Sequence, residues 1–222
     1  MPILLFDIDG TLVRTGGAGK AAMEAALLEG FGVPEIRDVV PFSGRTDRAI
    51  GHDLLTAHGQ HATPDNVTRL TQYYLDRLPA ALHRNGGEVC PGIRELLIEL
   101  QPKSHVTLGL LTGNVRAGAQ KKLSHFGLWD YFRFGGFGDN HTDRDDVARS
   151  ALRAAANHTR IDPSEVWVIG DTPLDVKCAR AIGAKAIAVA TGWVPLDQLR
   201  ACEPDFAFDD LSDVAGLLRM WA

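Results

Sequence analysis

Two aspartates, Asp7 and Asp9, lie one residue apart at the end of an apolar segment, in the stretch LLFDIDGTLV of residues 4–13. Side chains two positions apart in a strand point to the same face, so both carboxylates can reach one site where the strand ends. Such a pair stays ionised only at a high cost in free energy unless the two groups share a proton or a cation lies between them. A divalent metal ion is the simplest solution, and we expect one here.

Three further apolar segments are followed by polar residues or glycine, as the first is. Helical patterns separate these segments, and strands that alternate with helices predict a parallel sheet covered by helices on both faces. Ligands of such sheets bind beyond the carboxyl ends of the strands, so polar residues at four strand ends predict a site at that edge. The predicted strands, with the residues at their ends, are Ile3–Ile8 with Asp7 and Asp9, Val106–Leu111 with Thr112-Gly113-Asn114, Val166–Ile169 with Gly170-Asp171-Thr172, Ala186–Ala190 with Thr191-Gly192, and a fifth strand at Phe206–Phe208.

Residues 15–87 interrupt this alternation, because they contain helical patterns and no convincing strand. Glycine pairs flank the interruption like hinges. We therefore expect an α/β fold, in which residues 1–14 and 88–222 form a Rossmann-like parallel sheet core and residues 15–87 form an inserted α-helical cap domain. The predicted helices are Lys20–Phe31, Thr46–His58 and Pro64–His83 in the cap, and Ile93–Leu100, Ala117–Phe126, Val147–Asn157 and Leu174–Ile182 in the core.

The composition is that of an ordinary globular protein, with 222 residues of which 45% are hydrophobic and 23% charged. The formal net charge is −5 and there is no basic block, so we expect no nucleic-acid partner. No stretch approaches the ~18 apolar residues of a membrane helix, and the N-terminus lacks the basic region of a signal peptide. The three cysteines show no CxxC spacing, which is typical of reduced thiols and favours a cytoplasmic protein.

Asp171 adds a third acid to the predicted site, from the end of the third strand. Ligands that are all oxygen suit a hard cation, and Mg²⁺ keeps water molecules beside one or two carboxylates. No histidine or cysteine accompanies these acids, which argues against zinc. The expected cofactor is therefore Mg²⁺.

The stretches DIDGT, LLTGN and IGDTPLD, in this order along the chain, resemble the haloacid dehalogenase-like (HAD) hydrolase superfamily, chiefly its phosphatases. The resemblance implies that Asp7 is a nucleophile that forms an aspartyl-phosphate. It implies that Asp9 protonates the leaving oxygen and then deprotonates the attacking water, while its backbone carbonyl binds Mg²⁺. Asp7 and Asp171 would bind the metal through their carboxylates. Dehalogenases of the superfamily lack the second aspartate, so Asp9 favours a phosphatase.

Further motif residues receive roles from the resemblance. The Thr112 hydroxyl would donate to a phosphoryl oxygen, and Gly10 would let the chain turn sharply close to the ligand. Thr11 would fix the rotamer of an aspartate, and Asp175 would bind the metal through water or pair with the cation that binds phosphate. The residues expected around the phosphoryl group are Gly10, Thr112, Gly113 and Asn114.

One motif of the superfamily is absent. Its members usually carry a lysine in a KPxP-like context before the helix that leads into the third strand, and this sequence has none there. Arg144 occupies the matching place and is assigned the phosphate-binding role, since arginine stays charged and binds phosphate bidentately. Arg133 is the alternative candidate for that role. The alternative interpretation of Arg144 itself is a solvated charge among its aspartate neighbours. Lys121 and Lys122 come earlier, on the helix after the second strand, where we expect them to be exposed.

The segment PFSGRTDRAI in the cap resembles the Gly-Arg-Thr segment of phosphoglycolate-phosphatase-like members. Arg45 would then bind a second anionic group of the substrate, such as a carboxylate, when the cap closes. The same pattern equally fits an exposed arginine near the start of a helix. Trp167 and Trp193 are expected to be packing residues.

We therefore expect an Mg²⁺-dependent phosphatase, a phosphoric monoester hydrolase that acts on a small phosphorylated metabolite such as phosphoglycolate or a sugar phosphate. A phosphomutase of the same superfamily is the alternative enzyme. A non-catalytic phosphate-binding protein is the alternative outside enzymes. The sequence leaves open whether the protein is a monomer or a homodimer.

Overall fold

The computed structural model describes residues 1–37 and 39–221. Within these ranges, six strands form one parallel sheet in the order β5-β4-β1-β6-β7-β8, and β2 and β3 form a separate antiparallel pair. The predicted α/β fold with a parallel sheet is confirmed. The strands are β1 Ile3–Phe6, β2 Val13–Arg14, β3 Glu88–Val89, β4 Thr107–Leu111, β5 Phe134–Gly136, β6 Val166–Gly170, β7 Lys185–Val189 and β8 Phe206–Phe208.

Helices follow most strands of the sheet, and three more helices come between β2 and β3. None of the helices in the described ranges is long and apolar enough to cross a membrane. The helices are α1 Ala18–Phe31, α2 Asp47–Ala57, α3 Pro64–Asn85, α4 Ile93–Leu100, α5 Arg116–His125, α6 Arg144–Ala155, α7 Pro173–Ala181, α8 Leu196–Arg200 and α9 Val214–Met220.

The central strand β1 divides the core into two layers, because successive side chains of a strand point to opposite faces of the sheet. Leu4 and Phe6 enter one apolar cluster together with side chains of α4, α5 and α9. Ile3 and Leu5 enter the other cluster, together with side chains of α6, α7 and α8. All four side chains are fully buried, so the end of β1 is held firmly from both faces.

The helices α1, α2 and α3 form most of a third apolar cluster, to which Leu27, Leu54 and Leu70 each contribute a buried side chain and which Val115 joins from the loop before α5. The antiparallel pair β2–β3, with Val13 opposite Val89, lies where the chain leaves the sheet and where it returns. The predicted interruption of the strand–helix alternation is therefore a helical unit with its own packed interior.

Several elements differ from the prediction. β1 ends at Phe6, so Ile8 belongs to the following turn and not to the strand. β5 was missed because its three residues, Phe-Gly-Gly, do not form an apolar run. The last helices, α8 and α9, were missed because they have only 5 and 7 residues, too few for a clear helical period.

Two adjacent residues of α4 test the packing beneath the sheet. Leu97→Ala should lower the free energy of unfolding by about 3 kcal/mol, because Leu97 is fully buried and its truncation leaves a cavity. Ile98 is 56% exposed, so Ile98→Ala should change that free energy by less than about 0.5 kcal/mol. Urea denaturation measures both values, and equal losses would show that α4 does not face the sheet as described.

Candidate active site

The turn after β1 fixes the two aspartates of the first motif. The backbone N–H of Asp7 still donates to β6, at 2.9 Å, and the Ile8 carbonyl then accepts three hydrogen bonds of 3.0–3.3 Å that close the turn. Gly10 has a φ of +87°, in the left-handed region that favours glycine. Asp7 is only 4% exposed, whereas the side chain of Asp9 is 42% exposed, so the two acids occupy different environments.

Arg144 is the first residue of α6, and its guanidinium joins two of the acids. Nη2 lies 2.8 Å from Asp7 Oδ1 and 2.5 Å from Asp175 Oδ1. Burial of Arg144 favours the neutral form, but the charges of Asp175 and Asp7 prevail and raise the pKa of Arg144 well above its usual value. The structure therefore brings Arg144 into the site as a buried, charged group.

Arg133 lies elsewhere. It is exposed and immediately precedes β5. Because β5 runs parallel to β4, the start of β5 is at the edge of the sheet opposite the acids. The structure thus separates the alternative candidate, Arg133, from Asp7.

Three acids meet beside the guanidinium. One carboxylate oxygen from each of Asp7, Asp171 and Asp175 lies within 4.8 Å of the others, and all three residues are buried. Asp175 is fully engaged, since its Oδ2 accepts from the backbone N–H and the hydroxyl of Thr172 at 3.0 and 2.7 Å while its Oδ1 contacts the guanidinium. The role of Asp175 is therefore to hold the guanidinium of Arg144 and to cap the N-terminus of α7.

Asp171 is the acid without a counter-ion. The Thr11 hydroxyl lies 3.4 Å from Asp171 Oδ1, and no ion pair reaches Asp171 in the part of the chain that the structure describes. Burial, and then the charges of Asp175 and Asp7, raise the pKa of Asp171 well above its usual value. Burial also raises the pKa of Asp7 to about 6, against the opposing charge of Arg144. A second cation would stabilise the ionised forms of both acids.

Two glycines make room for the carboxylate of Asp171. A Cβ atom on Gly10 or on Gly192 would overlap Asp171 Oδ2. The Thr191 hydroxyl donates to the Gly10 carbonyl at 2.5 Å, which ties the end of β7 to the turn after β1. The sequence placed Thr191 and Gly192 at this edge without giving them a role, and the structure shows that they shape the space around Asp171.

Asp9 belongs to a hydrogen-bonded group of four side chains, with Thr112, Asn114 and Lys122. Asn114 Nδ2 donates to Asp9 Oδ2 and to the Thr112 hydroxyl, both at 2.8 Å. Lys122 Nζ donates to Asp9 Oδ2 at 2.6 Å and to Asn114 Oδ1 at 2.7 Å. The prediction that Lys122 is exposed is wrong, because α5 turns it inward and leaves it 4% exposed, whereas Lys121 is exposed as predicted.

The helical unit packs directly on the loop after β4. A Cβ atom on Gly113 would overlap the carbonyl of Arg45. The Asp47 N–H donates to the Gly113 carbonyl at 2.8 Å, and Asp47 Oδ2 accepts from the Val115 N–H at 2.9 Å. Burial raises the pKa of Asp47 to about 6, against the opposing charge of Lys122. Asp47 has no role in the prediction from the sequence, although it directly follows the Gly-Arg-Thr segment.

Arg45 reaches the same region with its charge already paired. Its guanidinium lies 2.7 Å from Asp53 Oδ2 and donates to the carbonyl of Pro41 at 3.2 Å. Its side chain is 24% exposed and lines the cleft above the acids. Binding of a second anionic group by Arg45 therefore stays a prediction.

A cleft of about 960 Å³ lies between the acids and the helical unit. Trp193 lines it and is 90% exposed, so the prediction that Trp193 is a packing residue is wrong. Trp167 is 5% exposed and its ring contacts Trp221, which confirms the packing role predicted for it. The larger side chains that the helical unit contributes to the cleft are Lys20, Met23, Phe42, Arg45, Ile50 and Tyr74.

Comparison with known proteins places this site in a family. The family model described as "Haloacid dehalogenase-like hydrolase" matches residues 4–189. A protein of Dickeya dadantii (strain 3937) named "Probable phosphatase IndB" is 34% identical, over 97% of this chain and 92% of its own length. A phosphoglycolate phosphatase of Synechococcus elongatus is 28% identical, over 96% of this chain and 95% of its own length. A crystal structure of CbbY from Rhodobacter sphaeroides in complex with phosphate shares the fold, with a TM-score of 0.76, 17% identity and 96% of each chain covered.

The matched range includes the motifs around Asp7, Thr112 and Asp171, which the structure brings to one edge of the sheet. The names of the relatives agree with the predicted enzyme class, phosphoric monoester hydrolase. The predicted resemblance is confirmed, and the chain belongs to the haloacid dehalogenase-like hydrolase family.

Proposed function

We propose that the protein is an Mg²⁺-dependent phosphatase that hydrolyses a small phosphorylated metabolite through an aspartyl-phosphate on Asp7. The observation that carries this proposal is the buried cluster of Asp7, Asp171 and Asp175, in which three acids of the described chain face one paired cation, Arg144. A phosphate ester that approaches Asp7 would meet an excess of negative charge, so the reaction needs a further cation.

The donor set fits a hard divalent cation. The ligand atoms brought together are carboxylate oxygens, which Mg²⁺ prefers. Asp7 and Asp171 would hold the ion, with the backbone carbonyl of Asp9 as the third protein ligand. Asp175, already bonded to Arg144, would support the site without binding the ion directly. Bound Mg²⁺ would neutralise the repulsion between nucleophile and substrate and polarise the phosphoryl group.

Asp7 and Asp9 divide the chemistry between them. Arg144 holds one carboxylate oxygen of Asp7 at 2.8 Å and leaves the other to attack phosphorus. As the bond from Asp7 to phosphorus forms, the bond to the leaving oxygen breaks, and Asp9, which lines the cleft, gives that oxygen a proton. A water molecule then attacks phosphorus and passes a proton to Asp9. The bond between Asp7 and phosphorus breaks, so inorganic phosphate is released and the carboxylate of Asp7 is restored.

The loop after β4 supports binding of the phosphoryl oxygens. Thr112 accepts a hydrogen bond from Asn114, so the hydrogen of its own hydroxyl remains available to a phosphoryl oxygen. Gly10 and Gly113 line the cleft and allow close approach of the backbone. The buried Nε of Arg144 has no partner in the described ranges and can donate once more.

The size of the cleft favours a leaving group of sugar size over the two carbons of phosphoglycolate. Its volume, about 960 Å³, is near the upper limit of ~1,000 Å³ for small-molecule sites. Arg45, the candidate for binding a carboxylate, is already paired with Asp53. We include in the proposal that residues 15–87 are a cap domain that covers this cleft and selects the substrate.

A cytoplasmic location belongs to the same proposal. Cys90, Cys178 and Cys202 are free thiols, and the first two are buried. Unpaired cysteines are typical of a reducing compartment.

Replacing the proposed nucleophile tests the reaction. Asp7→Asn should lower kcat for p-nitrophenyl phosphate with Mg²⁺ by at least ~10³-fold, because an amide forms no acyl-phosphate. Since burial raises the pKa of Asp7, the neutral amide should leave the melting temperature unchanged or higher. Rapid quenching of the wild-type enzyme with labelled ester should trap covalent phosphate that Asp7→Asn does not form.

The exposed Asp209 provides the matched control, and Asp209→Asn should behave as the wild type does. Inorganic phosphate released in equal amount to p-nitrophenol would separate hydrolysis from phosphoryl transfer within a mutase. Full activity of Asp7→Asn, or of wild-type enzyme after removal of divalent cations by EDTA, would contradict the proposal.

The two arginine candidates can be compared directly. Arg144→Lys should raise the KM for the ester and the inhibition constant of inorganic phosphate by about 10-fold, because an ammonium cannot hold Asp7, Asp175 and a phosphoryl oxygen with the guanidinium's fixed geometry. Arg133→Lys, at the exposed position, should leave both constants unchanged. Steady-state kinetics measures both, and equal constants for the two variants would place the phosphate-binding cation elsewhere.

A further inference from the structure

Lys122 is a buried charge to which the proposed reaction gives no role. Its side chain is 5% exposed, and its ammonium bonds to Asp9 Oδ2 and Asn114 Oδ1. It does not belong to the lining of the cleft as the described chain forms it, whereas Asp9 and Asn114 do. A Cβ atom on Gly19, in the first turn of α1, would lie 3.2 Å from Lys122 Nζ, so α1 covers the ammonium. Lys122 therefore contacts Asp9 away from the cleft.

The ammonium determines how Asn114 is oriented. An ammonium only donates hydrogen bonds, so it requires the carbonyl oxygen of the Asn114 amide. The Asn114 Nδ2 group must then face Asp9 and Thr112, which it does at 2.8 Å each. Thr112 accepts this hydrogen bond and keeps its own hydrogen for another acceptor. Lys122 thus sets the direction of the hydrogen bonds in the whole group.

Both donors in the group bind the same oxygen of Asp9. Lys122 Nζ and Asn114 Nδ2 contact Oδ2, and no hydrogen bond reaches Oδ1 among the residues that the structure describes. Oδ1 is therefore the oxygen that remains free to exchange a proton in the cleft. Burying an ammonium is costly unless it is paired, and an apolar side chain would fill the same space at lower cost. The charge of Lys122 is thus explained by its acidic neighbours, Asp9 in direct contact and Asp47 close by, and not by packing.

We propose that Lys122 is a positioning residue that holds Asp9 Oδ2, together with Asn114, so that Asp9 Oδ1 faces the leaving oxygen of the substrate. This inference rests on the proposed role of Asp9 as proton donor and acceptor. It predicts that loss of Lys122 matters most when the leaving oxygen needs a proton. An alkyl ester would otherwise expel an alkoxide, whereas p-nitrophenolate is stable without a proton.

The kinetic test compares two adjacent lysines of α5 with two esters in the presence of Mg²⁺. Lys122→Met should lower kcat/KM for glycerol 1-phosphate by about 10²-fold and kcat/KM for p-nitrophenyl phosphate by less than about 10-fold, because kcat/KM reports the step in which the ester oxygen leaves and not the later hydrolysis that both esters share. The inhibition constant of inorganic phosphate should stay within about 3-fold, because Lys122 does not line the cleft. Lys121→Met, which removes an exposed charge from the same helix, should keep the wild-type constants.

A second measurement does not depend on turnover. The side-chain amide of Asn114, held by Lys122, Asp9 and Thr112, should give slowly exchanging ¹⁵N–¹H signals in the wild type and in Lys121→Met. These signals are assigned by their loss in Asn114→Ala. In Lys122→Met they should broaden or exchange rapidly, because the amide loses the donor that orients it. If Lys122→Met does not fold, Lys122→Gln, which is uncharged and still polar, is measured in the same way.

Equal fractional losses of kcat/KM for the two esters, or unchanged Asn114 signals in Lys122→Met, would overturn the inference. If the wild type hydrolyses neither ester with Mg²⁺, the proposed function fails, and the Asn114 signals alone then decide whether Lys122 orders this group. If the wild type is active and Lys122→Met has wild-type kinetics, only the inference about Lys122 fails.

Discussion

Three buried carboxylates around one guanidinium are the constraint on which this site depends. Arg144 balances Asp175 and part of the charge of Asp7, and Asp171 remains without a counter-ion in the described chain. Without a further cation the cluster favours protonated acids, as the pKa of about 6 for Asp7 indicates. A proton on Asp7 would remove the nucleophile as the pH falls through about 6. A divalent cation would therefore do two things at once: keep Asp7 ionised, and allow an anionic ester to approach it.

The parts of the site that the sequence predicted are those fixed by strand ends. β1, β4 and β6 are adjacent and parallel, so residues that directly follow them meet at one edge whatever the rest of the chain does. Recognising the apolar segment before each residue was enough to place Asp7, Thr112 and Asp171 at this edge. The same reasoning predicted the central strands of the fold and failed for β5, whose Phe-Gly-Gly sequence relies on pairing with β4 for its extended shape.

The residues that the sequence did not predict depend on how helices pack. Lys121 and Lys122 are the same residue type in adjacent positions, and a rotation of about 100° around α5 separates a buried ammonium from an exposed one. Nothing in the local pattern fixes that rotation, because it follows from the packing of α5 against the sheet and against α3. The steric role of Gly192 was also hidden, since it exists only where β7 passes beside the turn after β1.

Contacts between the helical unit and the sheet use residues of the site itself. The Arg144 Nη1 group donates to the carbonyl of Gly44 at 3.2 Å, while Nη2 of the same guanidinium holds Asp7 and Asp175. The carbonyl of Gly113, in the loop after β4, accepts a hydrogen bond from the Asp47 N–H. Any movement of residues 15–87 away from the sheet therefore breaks hydrogen bonds made by the groups proposed to hold phosphate. If residues 15–87 cover the cleft as proposed, covering it and ordering the groups proposed to bind phosphate are one structural event, and the acids at the ends of β1 and β6 need not move for it.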